Sequence, residues 1–152
     1  MSLASTLSPA NELQEELSRL KKEYHRNCMF AKYPPVKTLD FSFNDDGALT
    51  GKATFGKEHQ SYDHRVHGGL IAAIVDAGMT QCLMGHSIIA YTVDLAVRYY
   101  EPVVLHRETQ FEIKLTDCKR DRIFWLDCII TQDGITKAKA TSRFFGQPEE
   151  FI

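Results

Sequence analysis

The sequence lacks any apolar run of the ~20 residues that a membrane span requires, because charged or polar residues interrupt each stretch earlier. It also lacks an excess of either charge, since 18 basic and 20 acidic residues give a formal net charge of -2. A chain so balanced has no overall electrostatic reason to bind nucleic acid or an anionic membrane. We therefore expect neither partner, and any anionic ligand must be held by local groups.

Paired cysteines are absent as well. The four cysteines form no CxxC motif and are scattered over predicted helices and strands, at Cys28, Cys82, Cys118 and Cys128. This scatter favours a reducing compartment over a disulfide framework. Residues 1–5 lack the basic and apolar regions of a secretory signal, so we interpret them as a disordered end. The expected location is the cytoplasm.

The length of 152 residues predicts one domain with a sizeable core. Residues 1–35 are predicted to form an N-terminal extension with one amphipathic helix, which Ser8 and Pro9 would begin. Its apolar stripe is narrow, so we interpret the helix as a cap on the core rather than a partner-binding element. Residues 36–147 form the main domain of this prediction, and residues 148–152 a tail.

The main domain alternates between apolar and polar residues from Thr38, which predicts a hairpin that turns at Asp45-Asp46-Gly47. A polar loop follows, and then the most apolar helical stretch of the chain, from His67 to Met84. Four more strands are predicted at 88–99, 108–116, 123–132 and 135–145. Antiparallel strands can bury a single long helix only if the sheet curls around it, so the fold class is α+β.

The start of the central helix carries His67-Gly68-Gly69. The first N–H groups of a helix have no intrahelical partner and lie at the positive end of its dipole, so they can hold an oxyanion. Two glycines let a substrate approach those amides closely. Taken alone, the motif is weak and is more typical of a structural turn.

Asp76 is the only charged residue in the stretch from Leu70 to Met79. A buried carboxylate is retained only with specific partners or a chemical task, such as general-base or nucleophilic catalysis. Asp76 follows Gly69 by about two turns, or ~10 Å, which is too far for both groups to act on one carbonyl. The spacing predicts a composite site in which the amides of one subunit face Asp76 of another. Small residues on this helix suit either a dimer interface or packing within the chain.

The segment from His67 to Ala77 resembles the HGG-x-x-A-x-x-x-D signature of the PaaI-type (phenylacetate-degradation) thioesterases, which belong to the 4-hydroxybenzoyl-CoA thioesterase superfamily. The likeness continues upstream to His59-Gln60 and downstream through Tyr91–Leu95 to Pro102. Cys28-Met29-Phe30 is similar to a subgroup of these enzymes that has an N-terminal extension.

This resemblance implies a hotdog fold, in which a curved antiparallel sheet wraps around one long central helix, here with an added N-terminal helix. It implies a homodimer joined edge to edge by the sheets, with two sites, and dimers could pair into tetramers. The implied reaction is hydrolysis of an acyl-CoA thioester to a free acid and a thiol. No metal or cofactor is expected, and coenzyme A enters only as part of the substrate.

The resemblance also implies a role for each site residue. The Gly69 amide would polarise the thioester carbonyl, and Asp76 of the neighbouring subunit would act as base or nucleophile. Thr92 would orient the attacking water, and His67 would shape the pocket. The remaining substrate contacts are assigned to Gly68, Ser61 and His59.

The loop from Ser61 to Arg65 departs from the family pattern, because many relatives have Asn in place of Ser61 and Gly in place of His64. Asp63 or His64 could have taken over part of the missing role, or the loop could be an ordinary surface turn. His86 and His106 are each isolated and are interpreted as non-catalytic. Trp125 is expected in the core or against the sheet. A basic cluster is either a solvated turn or a contact for the phosphates of coenzyme A, at Lys119, Arg120 and Arg122.

Two other functions compete with hydrolysis. A non-catalytic acyl-CoA-binding or regulatory protein could use the same pocket, although the single N-terminal helix is too small for a helix-turn-helix. A hotdog dehydratase would depend on a catalytic histidine in a different motif and would leave Asp76 unexplained.

Overall fold

The computed structural model describes residues 10–37 and 39–147. Four predicted features lie outside these residues: the N-terminal end at 1–5, the helix start at Ser8-Pro9, the first strand residue Thr38 and the tail at 148–152.

Three α-helices and six strands are formed by the described residues. In chain order they are α1 Ala10–Tyr24, α2 Met29–Lys32, β1 Asp40–Phe43, β2 Leu49–Thr54, α3 Gly68–Gly85, β3 Ala90–Tyr99, β4 Glu108–Lys119, β5 Ile123–Gln132 and β6 Ile135–Gly146. A short 3-10 helix, Lys57–His59, precedes α3. The strands form one sheet in the order β1-β2-β4-β5-β6-β3, with every neighbouring pair antiparallel. The predicted α+β architecture is therefore confirmed.

The core lies between α3 and the concave face of the sheet. Alternate residues of β5 are buried, which turns Phe124, Leu126 and Cys128 toward the helix. The buried side chains of the helix include Ile71, Ile74, Val75, Met79, Cys82 and Leu83. By length and composition α3 could cross a membrane, but half of it is buried within the domain, and a core helix meets the same criteria.

Two glycines of α3 allow the first strand to approach the helix closely. A Cβ atom at Gly78 would lie 2.9 Å from Phe41 Cζ, and one at Gly85 would lie 2.3 Å from the Phe43 ring. Each glycine therefore makes room for an aromatic side chain of β1. At Gly78 this serves packing within the chain rather than between subunits.

Helix α1 packs on α3 and β1 through Leu13, Leu17 and Leu20, which are all buried. The Gln14 side chain also accepts a hydrogen bond from the Phe43 N–H at 3.0 Å. This is the packing that the apolar spacing predicts. The short helix α2 was not predicted, because its N-cap residue Cys28 makes no side-chain capping bond and gives no signal in the sequence.

Two strand ends differ from the prediction. Strand β3 begins at Ala90 rather than at residue 88, because the Ile88 N–H still bonds to the Leu83 carbonyl at the end of α3. Strand β4 continues to Lys119 rather than to residue 116. It passes a bulge at Leu115/Asp117 and still pairs with β5 beyond it, so the following turn is tight.

Candidate active site

The first turn of α3 is held by its own N-cap. His67 precedes the helix with an extended backbone, and its Nδ1 accepts the Gly69 N–H at 2.9 Å. The His67 ring covers Gly69 so closely that a Cβ atom there would lie 2.9 Å from its Cε1. The amide that was expected to polarise a carbonyl is thus already hydrogen-bonded to this exposed ring.

Tyr99, at the end of β3, fixes the same turn from the sheet. Its hydroxyl donates to the Gly68 carbonyl at 2.5 Å, and its ring lies 3.4 Å from where a Gly68 Cβ would be. Burial raises the pKa of Tyr99, which keeps the hydroxyl a donor at neutral pH. Alternation places Tyr99 at the end of a strand in the sequence, but nothing there predicts the contact with Gly68.

Asp76 and Thr92 are brought together. The Thr92 hydroxyl, on β3, donates to Asp76 Oδ1 at 2.6 Å. Asp76 is partly exposed in the single chain, not fully buried as expected, and Thr92 is exposed beside a register shift at Thr92/Asp94. The hydroxyl orients the carboxylate and leaves its other oxygen available. Gly69 lies seven residues earlier on α3, or ~10 Å along the axis.

His59 has a structural role in the fold. Its Nδ1 accepts the Gly56 N–H at 3.1 Å, and its Nε2 donates to the Pro35 carbonyl at 2.7 Å. The ring also packs edge-on against Phe55, with centroids 5.6 Å apart. With both nitrogens engaged, the imidazole joins the loop to the N-terminal extension, and the predicted substrate contact would have to displace one of these bonds.

The atypical loop closes on itself as a turn. The Ser61 N–H bonds to the Arg65 carbonyl at 2.9 Å, and His64 adopts a positive φ of 67°. Ser61 lines an open cleft of about 290 Å³ together with Ile71 and Tyr99. The loop therefore lies beside the first turn of α3, on the same side as Gly68.

A cavity of about 190 Å³ opens beside Asp76. Part of its wall is α3, from Ile74 to Gln81, and Leu39 and Phe41 also line it. A further part of the wall is the N-terminal extension, which contributes Lys21, His25, Cys28, Phe30, Ala31, Pro34 and Pro35, and Val36 follows it. The sequence prediction missed this wall, because it treated the extension only as an outer cap. The signal available was the apolar content of residues 28–36, between α1 and β1.

Comparison with known proteins finds a matching family model. A family model described as the thioesterase superfamily matches residues 64–138, which include His67, Gly69, Asp76 and Thr92. The match spans 75 of the 152 residues and confirms the resemblance of the chain to thioesterases that the sequence motif indicated. No curated protein matches the chain.

Solved structures share the hotdog fold of this chain. PaaI of E. coli, from the phenylacetic acid degradation operon, is 13% identical with a TM-score of 0.75, covering 90% of this chain and 96% of PaaI. A hypothetical thioesterase of Streptococcus pneumoniae, solved with coenzyme A, is 17% identical with a TM-score of 0.68, covering 73% and 90%. A longer thioesterase superfamily protein is 22% identical with a TM-score of 0.67; the match covers 70% of this chain and 53% of that one.

Two further structures of the pneumococcal protein each carry one alanine substitution. One replaces an aspartate, and the other replaces a threonine sixteen residues later in that chain.

His86 and two of the cysteines lie outside the cavity beside Asp76. Burial lowers the pKa of His86, whose ring packs edge-on against Phe43 at 6.0 Å. Burial also raises the pKa of Cys82 and Cys128 to about 12, so both thiols are protonated in the core. Among residues 10–37 and 39–147, no group of three or more His, Cys, Asp or Glu could hold a metal ion.

The basic cluster lies at the turn between β4 and β5. Arg120 and Asp121 adopt positive φ values there, and the Arg122 guanidinium stacks over Phe145 at 5.7 Å. Trp125 is partly buried on the face of β5 that points away from α3, which agrees with sheet packing rather than with the core. A contact of this cluster with the phosphates of coenzyme A stays a prediction.

Proposed function

We propose that the protein hydrolyses acyl-CoA thioesters to a free acid and coenzyme A. The observation that carries the proposal is the Asp76 carboxylate, which Thr92 orients at the rim of an apolar cavity. A carbonyl placed beside Asp76 would direct its acyl chain into that cavity. Coenzyme A in the pneumococcal relative supports this ligand class.

Asp76 acts as base or nucleophile in this proposal. As a base it takes a proton from water while the water oxygen attacks the thioester carbon; as a nucleophile it attacks that carbon itself, and water then hydrolyses the acyl-enzyme. In both routes the C–S bond breaks and the sulfur leaves as the thiol. The spacing of Asp76 and Thr92, also sixteen residues, matches the pair replaced in the pneumococcal protein, which supports a joint role.

The Gly69 amide polarises the carbonyl after the His67 ring has turned away. The ring is exposed, and its one described hydrogen bond is to that amide, so a carbonyl oxygen can replace Nδ1 as the acceptor. The exchange substitutes one hydrogen bond for another, and its net cost is therefore small compared with the ~3 kcal/mol that an oxyanion donor provides.

A homodimer completes the site, because Gly69 and Asp76 of one chain are too far apart. In the part of the chain that the structure describes, the ten-residue strand β3 lies at one end of the sheet and pairs only with β6. It carries the exposed apolar side chains Tyr91, Val93 and Tyr99. A long exposed edge of this kind is suited to pair with a second copy. The same proposal extends to the pairing of two dimers into a tetramer.

Asp76→Asn tests the proposed activity. The substitution keeps the shape of the side chain and its bond from Thr92 but removes the charge, so kcat should fall by about a thousandfold or more. Thiol release from acyl-CoA measures the rate, and light scattering measures the oligomer. Near-normal turnover in a folded Asp76→Asn protein would contradict the assignment. Tight acyl-CoA binding without turnover in the wild type would instead favour the non-catalytic binding protein.

A further inference from the structure

The N-terminal extension supplies much of the wall of the cavity beside Asp76. The lining residues of the extension lie between Lys21 and Pro35, and they precede the stretch 64–138 that the family model matches. We propose that this extension forms the acyl pocket and restricts the enzyme to short, uncharged acyl groups, with Phe30 and Ala31 as the specificity-determining residues. The inference rests on the proposed hydrolysis, because it assumes that the thioester carbonyl lies at Asp76.

The volume of the cavity sets the length of the acyl group. An apolar cavity of ~150 Å³ can hold one benzene molecule, and the cavity here measures about 190 Å³. It therefore has room for about six to eight carbon atoms, as a short chain or a single ring. A fatty acyl chain of palmitoyl length would not fit without displacing the extension.

The chemistry of the walls selects an uncharged group. Most lining side chains are apolar, which suits ligand pockets that have only a few polar groups. Burial, together with the neighbouring Lys21, lowers the pKa of His25, so its ring is neutral at pH 7. The charged groups that remain are Asp40, Asp76 and Lys21, which leaves the cavity with an excess of negative charge. An acyl group that ends in a carboxylate should therefore bind poorly.

Helix α2 offers a matched pair of residues for a test. Phe30 lines the cavity and packs against the core, whereas its neighbour Met29 is 67% exposed and does not line the cavity. The two side chains are both large and apolar and differ by one position. Replacing each by alanine therefore separates the effect of pocket volume from a general effect on α2.

The first experiment measures kcat/KM for a series of acyl-CoAs from acetyl to palmitoyl, with benzoyl and succinyl added. In the wild type the value should rise about fourfold per methylene until the pocket is full, near six to eight carbons, and then fall. Succinyl-CoA should be the poorest of the short substrates.

Phe30→Ala enlarges the cavity and should move the optimum to chains longer by about two carbons or more. Ala31→Leu narrows it and should lower kcat/KM for hexanoyl-CoA about tenfold while acetyl-CoA is spared. Met29→Ala should reproduce the wild-type profile. Identical profiles for Phe30→Ala and Met29→Ala, with both proteins folded, would overturn the inference, and so would a wild-type optimum at palmitoyl-CoA.

The second experiment detects binding without turnover. Cys28 lines the cavity and is partly exposed, while Cys82 and Cys128 are protonated in the core. In a full-length Asp76→Asn, Cys118→Ser protein, iodoacetamide should therefore alkylate Cys28 selectively. Hexanoyl-CoA should slow this alkylation about fivefold or more, followed by mass spectrometry, and coenzyme A alone should not.

The two experiments separate failure of this inference from failure of the proposed function. Protection of Cys28 by hexanoyl-CoA, in a protein whose wild type hydrolyses no thioester, would retain the pocket and reject the hydrolase. Hydrolysis with no protection of Cys28 would retain the hydrolase and reject the pocket.

Discussion

Two regions of α3, its first turn and Asp76, differ in how their polar groups are bonded. At the first turn, both groups that could meet a substrate are bonded within the chain, the Gly69 N–H to His67 and the Gly68 carbonyl to Tyr99. At Asp76, a single hydroxyl orients the carboxylate and a cavity opens beside it. We call the first turn the closed position, because its groups are bonded within the chain. We call Asp76 the open position, because a ligand can reach it. This difference is expected if the first turn of one chain belongs to one active site of the dimer and Asp76 of the same chain belongs to the other.

The experiment with the largest expected effect combines two variants that are each expected to lose most of their activity, Gly69→Ala and Asp76→Asn. Gly69→Ala places a methyl group 2.9 Å from the present position of His67 Cε1 and hinders approach to the amide, so activity should fall about a hundredfold or more. Heterodimers of Gly69→Ala and Asp76→Asn would contain one site with both defects and one intact site. Differently tagged and purified heterodimers should recover about half of the wild-type rate. Heterodimers as inactive as their parents would show that each site lies within one chain.

Thr92→Ala should affect only the open position. Loss of one hydrogen bond to a charged group costs about 1.5–3 kcal/mol, so kcat should fall by about ten- to a hundredfold. Thr92→Ser retains the hydroxyl and is the matched control, with a rate close to that of the wild type. Equal losses in the two variants would indicate that the methyl group, not the hydrogen bond to Asp76, is what matters.

Tyr99→Phe should affect only the closed position. It removes the bond to the Gly68 carbonyl, a neutral hydrogen bond of about 1 kcal/mol, and should lower kcat/KM about fivefold. Because Tyr99 acts through the turn rather than on the substrate, hexanoyl-CoA and acetyl-CoA should be affected alike. A change in chain-length preference would assign Tyr99 to the acyl pocket instead.

The smallest predicted effect concerns His86, beyond the far end of α3, which has no proposed chemical role. Its pKa is lowered in the fold, so as pH falls below about 6.5 the unfolded chain takes up the proton first. The free energy of unfolding should therefore decrease from about pH 6.5 down to the lowered pKa and then level off. Urea titrations of His86→Phe should show a flatter pH dependence. His25 contributes a slope of the same sign, so His25→Phe should remove a further part.

Much of the fold could be predicted because its signals are local. Alternation gave the bounds of β5 as observed, and the run from His67 gave α3 to within one residue at each end. The dipeptide Asp133-Gly134, between two predicted strands, is typical of a hairpin turn, and both residues adopt positive φ. Where the ends were wrong, as in β4, long-range pairing extended the strand beyond its local pattern.

The candidate site could be predicted only in part. The motif indicated Asp76 and the helix N-terminus, and the resemblance added Thr92, which does meet Asp76. The contacts of His59, Tyr99 and Phe30 depend on how distant segments pack, and no local pattern encodes them. His59 illustrates this best, since its ring bonds to Pro35, twenty-four residues away. Its role in the fold could not be separated from a role in binding by sequence alone.

Phe41 contributes both to the stability of the protein and to the cavity beside Asp76. This double role affects which substitutions can change substrate preference during evolution. The side chain lines the cavity beside Asp76, and it also fills the space left by Gly51 and Gly78 and packs against Phe111. A mutation that reshapes the pocket at Phe41 therefore disturbs the core at the same time. A mutation at Phe30 should disturb the core less, because Phe30 belongs to a four-residue helix at the edge of the domain. New acyl preferences should accordingly arise by change in the N-terminal extension, while β1 remains under selection for folding.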